Sequence, residues 1–390
     1  RLMAILGVPM LLGPIFGPFL VGSLIETSSW HWFFLFNLPF GAAALVYAWR
    51  VLPSDRPEPS ESFDWVGMAL MSPGLALFLY GISSIPGEGT FFSSKVIIPG
   101  TLGLVMVAGF VVWSFRPAHP LLDLRLFKNR NLTVSTITMF LFAAAFFGGL
   151  LLVPTYFQQV RGESALSAGW LMAVQGLGAM ITMPIAGSLV DKLPVGRIVP
   201  FGLAAIVGGM FALTQVTATT SYWYILPVLL VMGLGMGSTM MPLMTSALKT
   251  LTSHEVARGS TLLNISQQIA SSIGVAIMSV VLTNGLNNDP LLKASRAFGE
   301  ASNGVTDPGQ LGTIAARFPE VAALLARGQE ALMAAVDEAM ASAFATTFWV
   351  AAILLSLTLI PAWFLPRKRE VSHLLDDADA EQVAPPIVLH

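Results

Sequence analysis

The chain contains no cysteine and few charged residues. Of its 390 residues only 11% are Asp, Glu, Lys or Arg, whereas 55% are hydrophobic. The absence of cysteine excludes disulfides, thiol nucleophiles and Cys-ligated metal sites. The scarcity of charge excludes an ordinary water-soluble surface. With a net charge of −2 and no basic stripe, the sequence also gives no support for nucleic-acid binding.

Charge is missing altogether from long apolar runs, which provide ten segments of at least about 17 residues, enough to span a bilayer as a helix. The runs lie at 2–25, 33–49, 66–85, 96–115, 131–160, 164–190, 198–248, 259–288 and 339–366, and the run at 198–248 holds two spans that turn at 217–221. Continuous runs rich in Leu, Ala, Phe and Met are unlike the alternating strands of a membrane barrel. The sequence therefore predicts an all-α polytopic membrane protein with ten transmembrane helices.

Basic residues set the expected orientation. If Arg1 lies inside, most basic residues of the short connections lie inside too, and the short outer connections carry only Lys95 and Arg161. Short loops rich in Lys and Arg are retained in the cytoplasm. We therefore expect both ends of this chain to be cytoplasmic.

Two linkers, at 53–64 and 116–130, bracket the third and fourth spans and suggest four parts. The predicted parts are two helices in 1–52, a linker region with an inserted helix pair in 53–130, a six-helix block in 131–366 and a tail in 367–390. Within the block, 284–343 forms a long external loop whose Ala-rich second half favours helix. We interpret this loop as a solvated cap or external helical hairpin; a role in gating or partner docking is the alternative.

The first run carries small and helix-bending residues at steps near four, namely Gly13, Pro14, Gly17, Pro18 and Gly22. This spacing places them on one helix face. Gly13 and Gly17 allow another helix to approach closely, and the prolines each remove a backbone hydrogen bond. The pattern predicts a helix-packing surface.

The segment 7–22, GVPMLLGPIFGPFLVG, together with WHWFFLFNLPFG at 30–41, resembles the antiporter motif and following turn of major facilitator drug:proton antiporters. Val21 departs from the usual Gly. The match is to the fourteen-span branch, which implies that this chain corresponds to spans five to fourteen and that four spans precede Arg1. The inserted pair would then be the extra helices between two six-helix halves.

The resemblance also implies a function. It implies secondary active efflux of several drugs or amphiphilic organic compounds, driven by proton entry through alternating access in a bacterial-type inner membrane. The implied partners are the lipid bilayer, a small-molecule substrate and protons. Some members work with a periplasmic adaptor protein and others act alone or export a specific metabolite, lipid or siderophore, and this sequence does not separate these alternatives.

A second match, GSLVDKLPVGR at 187–197, resembles the family's cytoplasmic gating loop, although Pro194 stands where Gly is usual. The residues that carry it are Gly187, Asp191, Lys192 and Arg197. The resemblance implies that Asp191 faces a helix terminus and that Lys192 or Arg197 pairs with acids of the other half. An ordinary positive-inside turn is the alternative.

Substrate contacts are expected from two kinds of helix face. Methionines at every fourth position of 232–244 offer flexible, polarizable side chains. Asn264, Gln267, Gln268 and Ser271 share one polar face, which should point to a water-filled cavity or to another helix. Gln175 in the sixth span is a candidate partner for this face. We predict that the cavity is lined by Phe142, Phe146, Tyr156, Gln158, Gln175, Met236, Met240, Asn264, Gln267 and Gln268; ordinary helix packing is the alternative.

Two absences bear on mechanism. No span carries a carboxylate at its middle, so proton coupling rests on the resemblance alone, with the coupling acid expected in the earlier spans. The five histidines lie in connections or the tail, and no hydrolase or nucleotide-binding motif stands in a suitable context. We therefore expect no enzyme activity, metal or cofactor. A non-transporting fragment or accessory remnant of such a transporter is the second hypothesis.

Overall fold

The computed structural model describes Gly17, Leu20, Ser23, Leu24 and residues 30–51, 63–88, 92–117, 120–190, 192–251, 253–303 and 308–367. All regular structure in these ranges is helical. The helices are α1 (Trp30–Val51), α2 (Trp65–Ser83), α3 (Ile85–Glu88), α4 (Ser94–Trp113), α5 (Arg130–Gln159), α6 (Ala165–Val190), α7 (Val195–Leu213), α8 (Tyr222–Lys249), α9 (Ser253–Asn288), α10 (Pro290–Ser302), α11 (Pro308–Ala315), α12 (Pro319–Leu325), α13 (Gln329–Leu357) and α14 (Leu359–Ala362), with a short 3₁₀ turn at Leu124–Lys128.

Nine helices in these described ranges are long and apolar enough to cross a membrane. They include all the predicted spans except the first, which lies almost wholly outside the described residues. The long run at 198–248 is divided as expected, because α7 ends at Leu213 and α8 begins at Tyr222. Ser221 caps α8 by accepting a hydrogen bond from the Trp223 N–H at 3.2 Å. The all-α polytopic prediction is therefore confirmed.

Helices α5 to α9 and α13 form one bundle with a repeated contact pattern. α5 packs against α9, and α8 packs against α6. In the same way α13 packs against α5, and α7 against α8. If α5, α6 and α7 are exchanged with α8, α9 and α13 respectively, the α5–α9 contact becomes the α8–α6 contact. The α13–α5 contact likewise becomes the α7–α8 contact. The bundle is thus built from two three-helix repeats related by a two-fold pattern.

At the two equivalent contacts, α5–α9 and α6–α8, glycines allow the backbones of the two helices to touch. A Cβ added to Gly148 of α5 would lie 2.6 Å from the carbonyl oxygen of Gly274 in α9. In the counterpart, a Cβ added to Gly178 of α6 would lie 2.5 Å from the carbonyl oxygen of Leu230 in α8. Neither backbone can move aside without displacing its helix. Without a hydrophobic driving force between helices in lipid, such close approach is a main source of association.

Helices α2 and α4, which we call the accessory pair, pack together by the same device. A Cβ on Gly81 would lie 2.6 Å from the Gly100 nitrogen, and one on Gly103 would lie 2.5 Å from the Gly74 carbonyl oxygen. Outside this contact the pair touches the bundle at α9, through α2 and the short α3. The pair is therefore a compact unit attached along one side.

Asp64 fixes one end of the accessory pair. Its carboxylate accepts hydrogen bonds from the Gly67 N–H at 2.7 Å, the Trp113 Nε1–H at 2.9 Å and the Leu121 N–H at 3.1 Å. These donors belong to the start of α2, the end of α4 and the segment leading to α5. One side chain thus joins both helices to the connection that follows them.

The predicted external loop differs in its bounds and form. α9 continues to Asn288, and α13 begins at Gln329, so both membrane helices extend into the segment assigned to the loop. Between them lie three short helices rather than a hairpin, with Phe298 and Phe318 in edge contact at 6.3 Å. The extension follows from local sequence, because Asp289–Pro290 ends α9 and starts the next helix, while the Ala-rich stretch favours helix.

Candidate functional site: a polar cavity between α2 and α9

A polar cavity of about 430 Å³ lies between the accessory pair and the bundle. Its lining residues come from the end of α2 and the middle of α9. They are Ser83, Gln268, Ser271, Ser272, Val275, Ala276 and Ser279. Both helices are long and apolar enough to cross a membrane, so the cavity lies between two candidate membrane spans.

The hydroxyl groups of this cavity are oriented by their own helices. Ser271 and Ser272 both donate to the Gln268 carbonyl oxygen, at 3.0 and 2.9 Å. Ser83 donates to the Tyr80 carbonyl oxygen at 3.1 Å. A serine has one proton to donate and two lone pairs to accept with. Each of these hydroxyls therefore retains acceptor capacity only.

Five of the seven lining residues are polar, namely four serines and Gln268. Polar groups facing hydrocarbon cost free energy unless they find hydrogen-bond partners, so polar faces inside membranes point to protein or to water-filled cavities. Of the predicted lining residues, Gln268 lies here. Asn264 is exposed on the same helix and Gln267 is half-buried, but neither lines the cavity.

Most other predicted cavity residues occupy the bundle interior. Phe142 and Phe146 of α5 are 1% exposed and stack at 5.1 Å between ring centroids. Tyr156 is 2% exposed and donates its hydroxyl proton to the Thr217 carbonyl oxygen at 2.7 Å. In this structure these three side chains pack the core, and the cavity described above does not reach them. Their assignment to a substrate path stays a prediction.

Gln175 was expected to face the polar side of α9, and this expectation is wrong. It lies in α6 with its backbone carbonyl against Gly233 of α8. The side chain is 4% exposed, and neither amide atom has a hydrogen-bond partner among the described residues. The α6–α8 contact brings Gln175 to α8, because α6 packs there and not on α9. Met236 and Met240 are half-buried on α8, and Gln158 is exposed at the end of α5.

The antiporter-motif residues Gly13, Pro14, Pro18 and Gly22 lie outside the described residues. Gly17 is described and half-buried. A Cβ added to Gly17 meets nothing within 4 Å among the described atoms. The expected close helix contact at this face therefore stays a prediction.

The predicted gating loop is described except for Asp191. Lys192 and Arg197 are exposed, and neither pairs with an acidic residue in the described part of the chain. A Cβ added to Gly187 would meet no atom within 4 Å among the described residues. The loop is instead tied to the chain beyond α14, because the Gly196 N–H donates to the Pro366 carbonyl oxygen at 3.0 Å.

A polar cluster at the opposite end of the bundle was not predicted. The Tyr222 hydroxyl donates to a Glu163 carboxylate oxygen, and the Arg161 guanidinium lies 4.8 Å from the Tyr222 ring centroid. Arg161 also donates to the Ala218 carbonyl oxygen, and Glu338 accepts from the Ala218 N–H at 3.1 Å. The cluster joins three segments that are far apart in sequence, at 161–163, 218–222 and Glu338, and no sequence spacing indicates that they meet. The cluster locks connections of one bundle together.

Sequence reasoning also missed two parts of the cavity lining. Ser279 continues the stripe of Gln268 and Ser271 at helical spacing, so extending the period by two turns would have found it. Ser83 gave no signal, because its membership depends on how the accessory pair lies against α9.

Comparisons with known proteins agree with this architecture. The family described as Major Facilitator Superfamily matches residues 1–275. A protein of Mycobacterium tuberculosis (strain ATCC 25618 / H37Rv) named multidrug resistance protein B homolog is 44% identical over 383 residues, which are 96% of this chain and 68% of that protein. The multidrug export protein EmrB of Escherichia coli (strain K12) is 28% identical over 288 residues, 72% of this chain and 56% of that protein.

A third relative, the uncharacterized MFS-type transporter YhcA of Bacillus subtilis (strain 168), is 30% identical over 282 residues, 72% of this chain and 53% of that protein. The family match covers well over half of the chain, and its fold is the helical membrane fold described above. The chain belongs to the Major Facilitator Superfamily.

Proposed function

We propose that the protein is part of a proton-coupled exporter of several drugs or amphiphilic organic compounds, working by alternating access. The observation that carries the proposal is the 44% identity, over 96% of this chain, to a protein named multidrug resistance protein B homolog. Transporters of this superfamily supply no enzymatic chemistry, so we expect none here.

The bundle supports a rocking mechanism. Its two three-helix repeats are joined by backbone-level glycine contacts, which favour movement of the whole block as one body. In the proposed organisation, 1–52 belong to the N-terminal half, 53–130 form the linker region with the accessory pair, 131–366 form the C-terminal half and 367–390 form a cytoplasmic tail. Both ends of this chain would then lie on the cytoplasmic side of an inner membrane.

Two sequence motifs have proposed roles in this motion. The face of Gly13, Gly17 and Gly22 would contact a helix of the other half and keep the closed conformation tight. Lys192 and Arg197, which have no acidic partner in the described ranges, would form ion pairs across the two halves that break when the halves rock. Neither role needs a cofactor or metal.

Proton coupling needs a titratable group inside the membrane that faces the two sides in turn. Among the described spans, no Asp or Glu occupies the middle of a helix. The proposal therefore places the coupling acid outside the described helices. A periplasmic adaptor protein is a further partner to test.

The test is dye efflux from cells. The full-length protein, expressed in a bacterial host lacking its main drug pumps, should lower ethidium accumulation relative to empty vector. A protonophore should restore accumulation to the control level, because it removes the proton gradient.

Gly17→Leu provides a sharper variant, since a large side chain on the motif face should reduce efflux while membrane protein levels stay normal. Gly208→Leu is the matched control, because an added Cβ meets nothing within 4 Å at either position in the described structure, and only Gly17 lies on the motif face. Ethidium efflux that continues unchanged in the presence of the protonophore would refute proton coupling. Absent efflux with normal expression would favour the non-transporting alternative, and efflux of one specific metabolite but no dye would favour a dedicated exporter.

A further inference from the structure

We propose that a groove between α6 and α7 binds an anionic phospholipid, with an acyl chain in the groove and the phosphate group on Arg197. The groove has a volume of about 470 Å³, and α8 forms its floor. It exists because α6 and α7 both pack on α8 but touch each other little. Glycine backbone forms part of the floor, where a Cβ added to Gly235 would lie 2.5 Å from the Gly202 carbonyl oxygen.

The lining of the groove is suited to a hydrocarbon chain. Its two hydroxyl groups, those of Thr182 and Ser238, both donate to the Leu234 carbonyl oxygen, at 2.8 and 2.9 Å. Neither hydroxyl proton is therefore left unpaired when an apolar chain covers it. Apart from Arg197, the other described residues of the lining are Leu, Ile, Phe, Ala and Gly.

One side of the groove is open to the surroundings of the bundle, since Phe201 lines it and is 80% exposed. All three helices are long and apolar enough to cross a membrane, so we expect this side to face lipid. Arg197 and Ala205 both line the groove and are separated by about 12 Å along α7. A segment of acyl chain can therefore lie along it.

Among the described residues that line the groove, Arg197 alone is charged, and it lies in the first turn of α7. An arginine near the end of a membrane helix reaches the level of the lipid head groups. Its backbone N–H already donates to the Pro194 carbonyl oxygen at 2.9 Å, so the guanidinium supplies the donors for a ligand. A guanidinium binds phosphate oxygens through two parallel hydrogen bonds.

The charge around Arg197 favours an anionic lipid over a zwitterionic one. The segment 191–197 carries Asp191, Lys192 and Arg197, a net charge of +1. A zwitterionic head group adds an ammonium group that this charge repels, whereas an anionic head group adds none. The ion pair proposed above for Arg197 would compete for the same guanidinium, so the lipid would bind when that pair is open. This last point rests on the proposed function, whereas the shape and charge of the groove do not.

The test is a lipid titration of the purified full-length protein in a neutral detergent. The rise in melting temperature is measured with phosphatidylglycerol, with phosphatidylcholine of the same acyl chains and with inorganic phosphate. Each variant is compared with its own lipid-free sample. Transport is not measured, so a failure of dye efflux contradicts the proposed function alone.

We expect phosphatidylglycerol to act at about tenfold lower concentration than phosphatidylcholine, as one charge-assisted contact would give. Arg197→Gln should remove this preference, and Arg197→Lys should keep most of it. The matched control is Arg130→Gln, which removes an exposed arginine from the first turn of α5, outside the groove, and should leave the preference unchanged.

Ala205→Phe should weaken the effect of both lipids, because the larger side chain fills the groove. Ala204→Phe is its control, since Ala204 is exposed on the same helix and does not line the groove.

Equal effects of the two lipids on the unmodified protein would overturn the phosphate contact, as would equal results for Arg197→Gln and Arg130→Gln. Equal results for Ala205→Phe and Ala204→Phe would overturn the position of the acyl chain. If inorganic phosphate raised the melting temperature as much as phosphatidylglycerol, the site would be one for a free anion. If neither lipid had an effect, the proposal would fail, as it would where another part of the full-length chain covers the groove.

Discussion

The accessory pair and the six-helix bundle use the same packing device but bury very different amounts of surface. In both, glycines bring two helices to backbone contact. In the bundle, the buried share of each apolar window runs from 28% for α9 to 61% for α5, whereas the figures for α2 and α4 are 22% and 17%. α5 is therefore the centre of a packed block, and most residues in the apolar windows of the accessory pair are not buried within the described structure.

A close contact between two helices therefore does not by itself mean that the pair is packed on several sides by other helices. A glycine in the bundle is surrounded by further helices, as Gly149 of α5 shows by lying between Met210 of α7 and Ala351 of α13. A glycine of the accessory pair has one partner helix. Disrupting the first should affect the whole bundle, and disrupting the second should affect the pair and its cavity.

Gly274→Ala should have the largest effect. Its Cβ would collide with the backbone of Ala144 in α5, which cannot move without displacing the helix. We expect a loss of about 3 kcal/mol in the free energy of unfolding, measured as a lower melting temperature in detergent. Gly208→Ala is the control, because that position is open and should gain slightly from helix propensity. Equal melting temperatures of the two variants would contradict the assigned contact.

Gly103→Ala should separate the accessory pair while leaving the bundle folded. Its Cβ would meet the backbone of Phe78 and Gly74. We expect a loss of about 1–3 kcal/mol confined to the pair, with normal elution of the protein and faster amide hydrogen exchange in α2 and α4. Gly109→Ala is the matched control, since its nearest neighbour, Leu70, lies at an ordinary 3.9 Å. A global loss of folding would show that the pair is as integrated as the bundle.

Asp64→Asn should weaken one end of the pair in a pH-dependent way. Burial raises the pKa of Asp64, but three donated hydrogen bonds outweigh it, so the pKa lies below the usual 3.8. A lowered folded-state pKa stabilises the protein above the unfolded value and loses that contribution as pH falls through the folded value.

At neutral pH we expect Asp64→Asn to cost about 1 kcal/mol, because an amide replaces the carboxylate in its hydrogen bonds. The difference in melting temperature between unmodified protein and variant should shrink as pH falls below 3.8. A difference that stays constant over this range would show that the ionised carboxylate is not what holds this end.

Glu88→Gln should have the smallest effect. Glu88 pairs with Lys95 at 2.7 Å at the other end of the pair, where the Lys95 side chain is 70% exposed. Exposed pairs are screened by water and salt and contribute little. We expect an unchanged melting temperature at moderate salt, and a fall as large as that of Asp64→Asn would mean that both ends fix the pair equally.

Much of this fold follows from the sequence, because uncharged runs have only one way to satisfy their backbone in lipid. Helices α2, α4 and α5 to α9 lie where the runs predict, and the turn between α7 and α8 follows from polar residues at 217–221. The ends of the helices were harder to predict from the sequence. α9 and α13 continue beyond their apolar segments, because the local sequence there still favours helix.

The site was less predictable than the fold. The polar stripe of α9 could be recognised from the spacing of Gln268 and Ser271, since periodicity reports which residues share a face. Periodicity does not report which helix covers that face. Gln175 was paired with the wrong helix for this reason, and Ser83 was not found, because both depend on the packing of helices distant in sequence.

The most direct test of the account is transport by the purified full-length protein in liposomes with an imposed pH gradient. We expect ethidium to move against its own gradient when protons flow the other way. Ethidium movement that is the same with and without the proton gradient would contradict it.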